Sequence, residues 1–148
     1  FEIKAKDGKI TTITINEKVN VELDNEIYRL RNFKSNEFGD NGILRECIVL
    51  ENISLYYFPR KSLEKPLESS IKAPSSGFKK ETLAEWKDSG FYLFYINNEY
   101  VRVPSKHKKV LELNIFDNDE YKSYRKKNKL DLKNEQKLTE MVTHFNKI

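Results

Sequence analysis

Residues 91–105 read Phe91-Tyr-Leu-Phe-Tyr-Ile-Asn-Asn-Glu-Tyr-Val-Arg-Val-Pro-Ser105, and here a chain of strands gives way to a chain of helices. Two runs of aromatic and β-branched residues, 91–96 and 100–103, flank the turn residues Asn97-Asn98-Glu99, which predicts a β-hairpin. Pro104 and Ser105 then change the period. Ser105 is placed to cap a helix carrying Val110, Leu111, Asn114 and Ile115 on one side. Asp117, with Glu120 three residues on, has the spacing of a capping box and opens a second helix through Tyr121, Tyr124 and Arg125 to about Asn128. Asn134 starts the last helix, in which Leu138, Met141, Val142 and Phe145 form an i, i+3, i+4, i+7 stripe of core residues.

Upstream of this switch the pattern has period two. Phe1, Ile3 and Ala5 alternate with charged residues before the turn signal Asp7-Gly8, and residues 9–15 return. Val19, Val21 and Leu23 alternate with polar partners, and Asp24-Asn25 turns the chain into residues 27–33. The polar stretch 34–42, with Gly39-Asp40-Asn41-Gly42, reads as a loop. Residues 43–50 are apolar on both faces apart from Arg45 and Glu46, which places them centrally, and residues 53–58 follow. About six strands precede Pro59, enough for a small barrel or a sandwich-like sheet. Residues 59–90 hold Pro59, Pro66, Pro74 and the Ser75-Ser76-Gly77 cluster, the composition of an exposed connection. Within it Leu83 and Trp86, three apart, suggest a helical turn over residues 82–87, with Trp86 packing the connection down on the sheet.

The expected fold is therefore α+β: an N-terminal antiparallel sheet (residues 1–58), a Pro/Ser-rich connection (59–90), and a hairpin with a short three-helix bundle (91–148). These stretches form one compact unit or two loosely coupled ones. The chain has 148 residues, 18 of them Phe, Tyr or Trp, so it can build a core. Its longest apolar run, residues 91–96, is too short to cross a membrane as a helix. The single Cys47 excludes an internal disulfide and a cysteine zinc cluster, and it reads as a small buried thiol.

Charge is unevenly spread. The net charge is +4. Residues 1–103 are balanced, with 16 basic and 16 acidic side chains, whereas residues 104–148 carry 11 and 7. Lys122, Arg125, Lys126, Lys127 and Lys129 lie on or beside the middle helix and form a candidate surface for an anionic partner, nucleic acid or lipid headgroups. Against that, Lys outnumbers Arg 21 to 6, and the aromatics stand in the strands rather than among the cations. A solvated helix face accounts for the run. No catalytic constellation emerges. His107 sits among Lys106, Lys108 and Lys109, which oppose its protonation, and His144 beside the apolar stripe reads as structural. Asp117, Asp119 and Glu120 lack the Gly and later Glu of a calcium loop. There is no phosphate loop or nucleophile elbow, so no cofactor or metal is expected and the chain does not read as an enzyme.

The hairpin Tyr92-Leu-Phe-Tyr … Tyr100-Val-Arg-Val, the helix Ser105-Lys-His-Lys-Lys-Val-Leu-Glu-Leu, and then Tyr124-Arg-Lys-Lys-Asn-Lys-Leu and Lys133-Asn-Glu-Gln-Lys-Leu … Val142-Thr-His-Phe-Asn146 share an order and spacing. Together they resemble the C-terminal module of uncharacterised secreted proteins of Bacteroidetes. The likeness spans about residues 91–147, with a looser echo in Lys6-Asp-Gly-Lys9. Where similar chains place a proline between the first two helices, this one has Asn114-Ile-Phe-Asp117. The resemblance implies export with removal of a signal peptide, consistent with a chain that opens Phe-Glu-Ile-Lys as a processed or trimmed terminus. It implies a periplasmic or outer-membrane-associated place and carries over no catalytic residue. The expected function is a non-catalytic envelope binding or assembly module acting through protein–protein contacts. Its expected interaction surface is Tyr92, Phe94, Tyr100 and Arg102. The alternative is a basic nucleic-acid or anionic-surface binder using the Lys122 to Lys129 run.

Overall fold

A computed structural model of the chain describes residues 2–4, 7–12, 16, 18, 20–35, 37–64 and 84–146. Strands β1 (Glu2–Lys4) and β2 (Ile10–Thr12) pair antiparallel across a turn in which Gly8 takes a φ of 84°, a conformation glycine adopts at little steric cost. Of the strand positions expected nearby, Phe1, Ala5, residues 13–15 and Val19 lie outside the described residues. The main sheet draws on β3 (Asn20–Leu23), β4 (Glu26–Ser35), β5 (Gly39–Ile48) and β6 (Ile53–Phe58). After the short strands β7 (Lys61–Glu64) and β8 (Glu85–Asp88), it is completed by β9 (Phe91–Ile96) and β10 (Glu99–Arg102). Its order is β10-β9-β6-β5-β4-β3, antiparallel throughout. β3 and β10 are its two edges, so among the described residues the sheet is open and no barrel closes.

Two of its tight turns have the geometry that suits right-twisted hairpins. Asp24 and Asn25 take φ of 52° and 65°, and Asn97 and Asn98 take 52° and 63°, the paired left-handed residues of a type I′ turn. The stretch 34–42 is not a free loop. β4 reaches Ser35 and β5 begins at Gly39, with a register shift between Asn32 and Ser35. Ser35 pairs with Gly39, and in the turn between the strands Phe38 is buried, 5% exposed.

The connection 59–90 also differs from its sequence reading. Residues 84–88 form no helical turn; β8 pairs with β7, placing Trp86 opposite Leu63. The residue numbers of every opposed pair sum to 149, from Ile53 with Ile96 through to Glu64 with Glu85, and Ser89 N–H donates to the Arg60 carbonyl between the two ladders (2.9 Å). β6–β7 and β8–β9 are thus one long hairpin that continues past the sheet as a two-stranded arm. Long-range pairing in that register overrides the local spacing of Leu83 and Trp86. Trp86 is 67% exposed rather than packed on the sheet, and Leu83 with residues 65–82 lies outside the described residues. Because β6 pairs with β9, the sheet itself joins the stretches on either side of 59–90.

One face of the sheet carries the helices α1 (His107–Glu112), α2 (Asn118–Asn128) and α3 (Glu135–Phe145). Ile53, Leu55, Phe94 and Val103 meet Val110, Tyr121, Leu138, Met141, Val142 and Phe145 in a single buried cluster. α2 is capped as its sequence predicts: Asp117 accepts from the N–H groups of Asp119 and Glu120. Asn134 likewise accepts from Lys137 N–H at the start of α3. Ser105, however, caps nothing. The residue flanking α1 is Lys106, without a side-chain bond, and α1 ends at Glu112, before the left-handed Asn114 (φ 53°). The opposite face holds a second cluster of Phe38, Leu44, Tyr56, Phe58 and Leu93, flanked by Phe33, Phe91, Tyr95 and Tyr100.

Packing in this second cluster leaves no room at Gly42, where a Cβ would lie 2.6 Å from the Phe58 ring and 3.0 Å from Phe33. Gly42→Ala is therefore expected to destabilise the fold by about 1–3 kcal/mol, read as a lower denaturation midpoint at unchanged m-value. An unchanged midpoint would show that the aromatic face repacks freely.

Candidate functional site

α3 is fixed to the sheet at both ends. At its C-terminal end Asn146 Oδ1 accepts from the N–H groups of Asn52 (2.9 Å) and Ile53 (3.2 Å), while Asn52 Nδ2 donates to the Asn146 carbonyl. At its N-terminal end the Arg45 guanidinium forks onto both carboxylate oxygens of Glu135, and Tyr92 O–H donates to the same group at 3.1 Å. Arg45 also bonds Glu26 at 2.6 Å and lies over the Tyr57 ring, 5.2 Å from its centroid. Burial works against ionisation of Glu135, but the bonds from Arg45 and Tyr92 outweigh it and hold its carboxyl below the ordinary range. The same burial, with Glu135 beside it, pushes the Cys47 thiol up to about 12. Cys47 is thus a poor nucleophile at neutral pH.

Beside this network, where β9 begins, β10 ends and the arm is rooted, lies a cleft of about 940 Å³. Its polar lining includes Tyr57, Asp88, Tyr92, Arg102, Lys109 and Lys133. Tyr57 O–H donates to both oxygens of Asp88 (2.8 and 2.9 Å), and Gly90 N–H donates to Asp88 Oδ1 (2.8 Å). The Gly90 bond first, then Tyr57, keeps the Asp88 carboxyl below its usual value. Burial and Asp88 in turn push the Tyr57 phenol up to about 12. Gly90 has no room for a side chain, since its Cβ would stand 2.1 Å from the Tyr57 hydroxyl. The residue that bends the chain into β9 thereby admits the latch between arm and sheet.

The residues singled out by sequence fall in different places. Tyr92 is half-buried in the α3 network, and Tyr100 is half-buried among Phe33, Tyr56 and Tyr95 on the opposite face. Phe94 is wholly buried under the helices, so no partner can touch it in this fold. Arg102 is exposed, pairs with Glu37 at 2.8 Å and lies 4.2 Å from the Phe91 ring centroid. The four therefore do not form one patch. Strand alternation sends Tyr92 and Phe94 to the helix side and Tyr100 and Arg102 to the other.

Lys122, Arg125, Lys126, Lys127 and Lys129 are all exposed, and of these Lys122 pairs with Asp119 at 3.1 Å. The cation–ring contacts among the described residues are made by arginines in or beside the sheet, not by the cations of α2. Arg31 lies over Tyr56, Arg60 over Phe58 and Arg102 over Phe91. His107 is half-buried, with Nδ1 2.8 Å from the Tyr121 hydroxyl. Its pKa is lowered by burial and then by Arg125, not by the lysines beside it in sequence. His144 meets Glu120 at 3.1 Å. Among the described residues no three His, Cys, Asp or Glu side chains converge as a metal site, and no helix is long and apolar enough to cross a membrane.

Sequence reasoning passed over Tyr57, Asp88, Lys109, Lys133 and the Arg45–Glu135 pair. The alternation in Lys61-Ser-Leu-Glu64 and Glu85-Trp-Lys-Asp88, with Glu64 and Lys87 of opposite charge, was the signal for the arm; these two form an ion pair across it. No family model matches the chain, and no curated protein or solved structure matches it either.

Glu135 carries the clearest pH signature of the site. Its pKa is depressed by folding, so its contribution is complete above the ordinary carboxylate value and fades as pH falls through the folded value. Glu135→Gln is expected to lose about 1 kcal/mol at pH 7, a figure kept small by the exposure of Glu135. Below about pH 5 the difference from the parent should shrink. Thermal melts across pH 3 to 7 read this, and parallel curves would contradict it.

Proposed function

We propose that the chain is a non-catalytic binding or assembly module of the cell envelope, exported with its signal peptide removed and acting through protein–protein contacts. The reading of location rests on the likeness to secreted Bacteroidetes proteins. The reading of action rests on the arm. All eight residues of β7 and β8 are exposed, and Trp86 and Leu63, directly opposed, stand 67% and 46% exposed on one side of it. A two-stranded ribbon is marginal in water by itself, and an exposed Trp beside an exposed Leu favours burial against another surface. Trp is also the residue type most enriched among interface hot spots. The contact surface thus moves from the hairpin of residues 91–103 to the arm that extends from it.

Capture from envelope extracts by the immobilised chain, with Trp86→Ser as the comparison, tests this. A defined envelope protein should be retained by the parent and lost at least tenfold in the variant. Retention of nothing, or equal retention by both chains, overturns the reading of action. Recovery of the native protein from the cytosolic fraction overturns the reading of location.

A second reading has its own observation. The outer face of α2 presents Lys122, Arg125, Lys126 and Lys129, with Asp119 the one acid bonded to any of them among the described residues. On this reading the face holds a polyanion such as nucleic acid. Binding would weaken steeply between 50 and 200 mM salt, and Lys126→Glu with Lys127→Glu would lower it further. Absence of any gel shift at low salt removes this reading.

A further inference from the structure

We propose that the cleft at the base of the arm binds a small organic anion with an apolar body. Three observations carry this. The first is size: the cleft, open to solvent along one side, measures about 940 Å³, room enough for a small molecule.

The second is uncommitted charge. Both carboxylates of the lining are already engaged, Glu37 by Arg102 and Asp88 by Tyr57 and Gly90. Lys109 on α1 and Lys133 before α3 both line the cleft, and neither side chain has a hydrogen-bond or ion-pair partner among the described residues. The free charge facing the cleft is therefore positive. A metal cation is disfavoured by that sign and by the engagement of both acids.

The third observation is the nature of the remaining wall. Val101, Val103, Pro104, Leu113 and Leu132 supply apolar surface, and the rings of Phe91, Tyr57 and Tyr92 supply aromatic surface. The Tyr57 and Tyr92 hydroxyls are spent on Asp88 and Glu135, so these residues offer ring surface rather than donors. Two lysines act as point charges rather than planar forks, which suits a single anionic group at one end of an apolar molecule. Tyr57 and Asp88 are pre-set by their mutual bond and need not rearrange on binding.

The test uses 1-anilinonaphthalene-8-sulfonate, an amphipathic anion whose fluorescence reports apolar surroundings, against N-phenyl-1-naphthylamine, the same body without the charge. The folded chain should bind the sulfonate roughly tenfold more tightly than the neutral analogue, two screened lysines together supplying that factor. Lys109→Gln with Lys133→Gln should abolish the preference while leaving the thermal melt unchanged, and Lys122→Gln with Lys126→Gln on α2 should leave it intact. No sulfonate binding, equal affinity for both probes, or a preference that survives the Lys109 and Lys133 substitutions would each overturn the proposal.

Discussion

The pairing of β6 with β9 is the contact on which the remaining structure depends. Five of the six residues of β6 are buried, and the strand is hydrogen-bonded on both sides, to β5 and to β9. Its two faces feed different cores, Ile53 and Leu55 into the helix side and Tyr56 and Phe58 into the aromatic side. The one buried polar side chain on it, Ser54, exchanges hydrogen bonds with the backbone of Leu50 at 3.0 Å in both directions, so nothing polar is stranded at the centre. α3 lies over β5 and β6 and is held at Asn146 beside Ile53 and at Glu135 beside Tyr92. Eleven helical residues span about 16 Å, and the strand from Ile53 to Tyr57 spans about 13 Å. The helix is close in length to the strand beneath it, and its buried stripe and two end contacts together set its place.

What could be read from sequence follows the range of the interactions involved. The turns at Asp24-Asn25 and Asn97-Asn98, the caps at Asp117 and Asn134, and the buried stripe Leu138, Met141, Val142, Phe145 are each decided within a few residues. They stood in the sequence plainly. The α+β order followed from them. The arm was hidden because its strands are separated by residues 65–84, so composition spoke for a linker while pairing made a ribbon. The faces of residues 91–103 were hidden for another reason. With helices on one side of the sheet and aromatics on the other, both faces of β9 are apolar, and alternation no longer tells inside from outside. Phe94 and Tyr92 look alike in sequence, yet one is sealed in the core and the other opens on a cleft. The cleft needs residues from β6 to the start of α3, and no local pattern joins them.

Arginine and lysine divide the positive charge between them. Arg31, Arg45, Arg60 and Arg102 lie over aromatic rings of the sheet, and Arg29, Arg31, Arg45 and Arg102 engage carboxylates. Arg60 also donates to the Phe38 carbonyl, fastening the turn that carries Phe38 onto the aromatic face. A planar, weakly hydrated guanidinium can bond at its edge and stack on its face at once, which an ammonium cannot. The sheet therefore spends its arginines on structure. The lysines of α1, α2 and the connection before α3 are exposed, and among them the Lys109 and Lys133 side chains have no hydrogen-bond or ion-pair partner among the described residues. The net +4 belongs to residues 104–148, and residues 1–103 carry equal numbers of basic and acidic side chains.

The arm and the cleft share one structural joint. β7 and β8 bury none of their own residues, so the ribbon owes its direction to its root. That root is the continuous register with β6 and β9, reinforced by Tyr57, Asp88 and Gly90. Tyr57 and Asp88 are at the same time lining of the cleft. Whatever draws Asp88 away from Tyr57 loosens the arm and reshapes the cleft together, while whatever fills the cleft and excludes water from the Tyr57–Asp88 bond strengthens it. The direction of the arm and the shape of the cleft therefore share the Tyr57–Asp88 phenol–carboxylate contact.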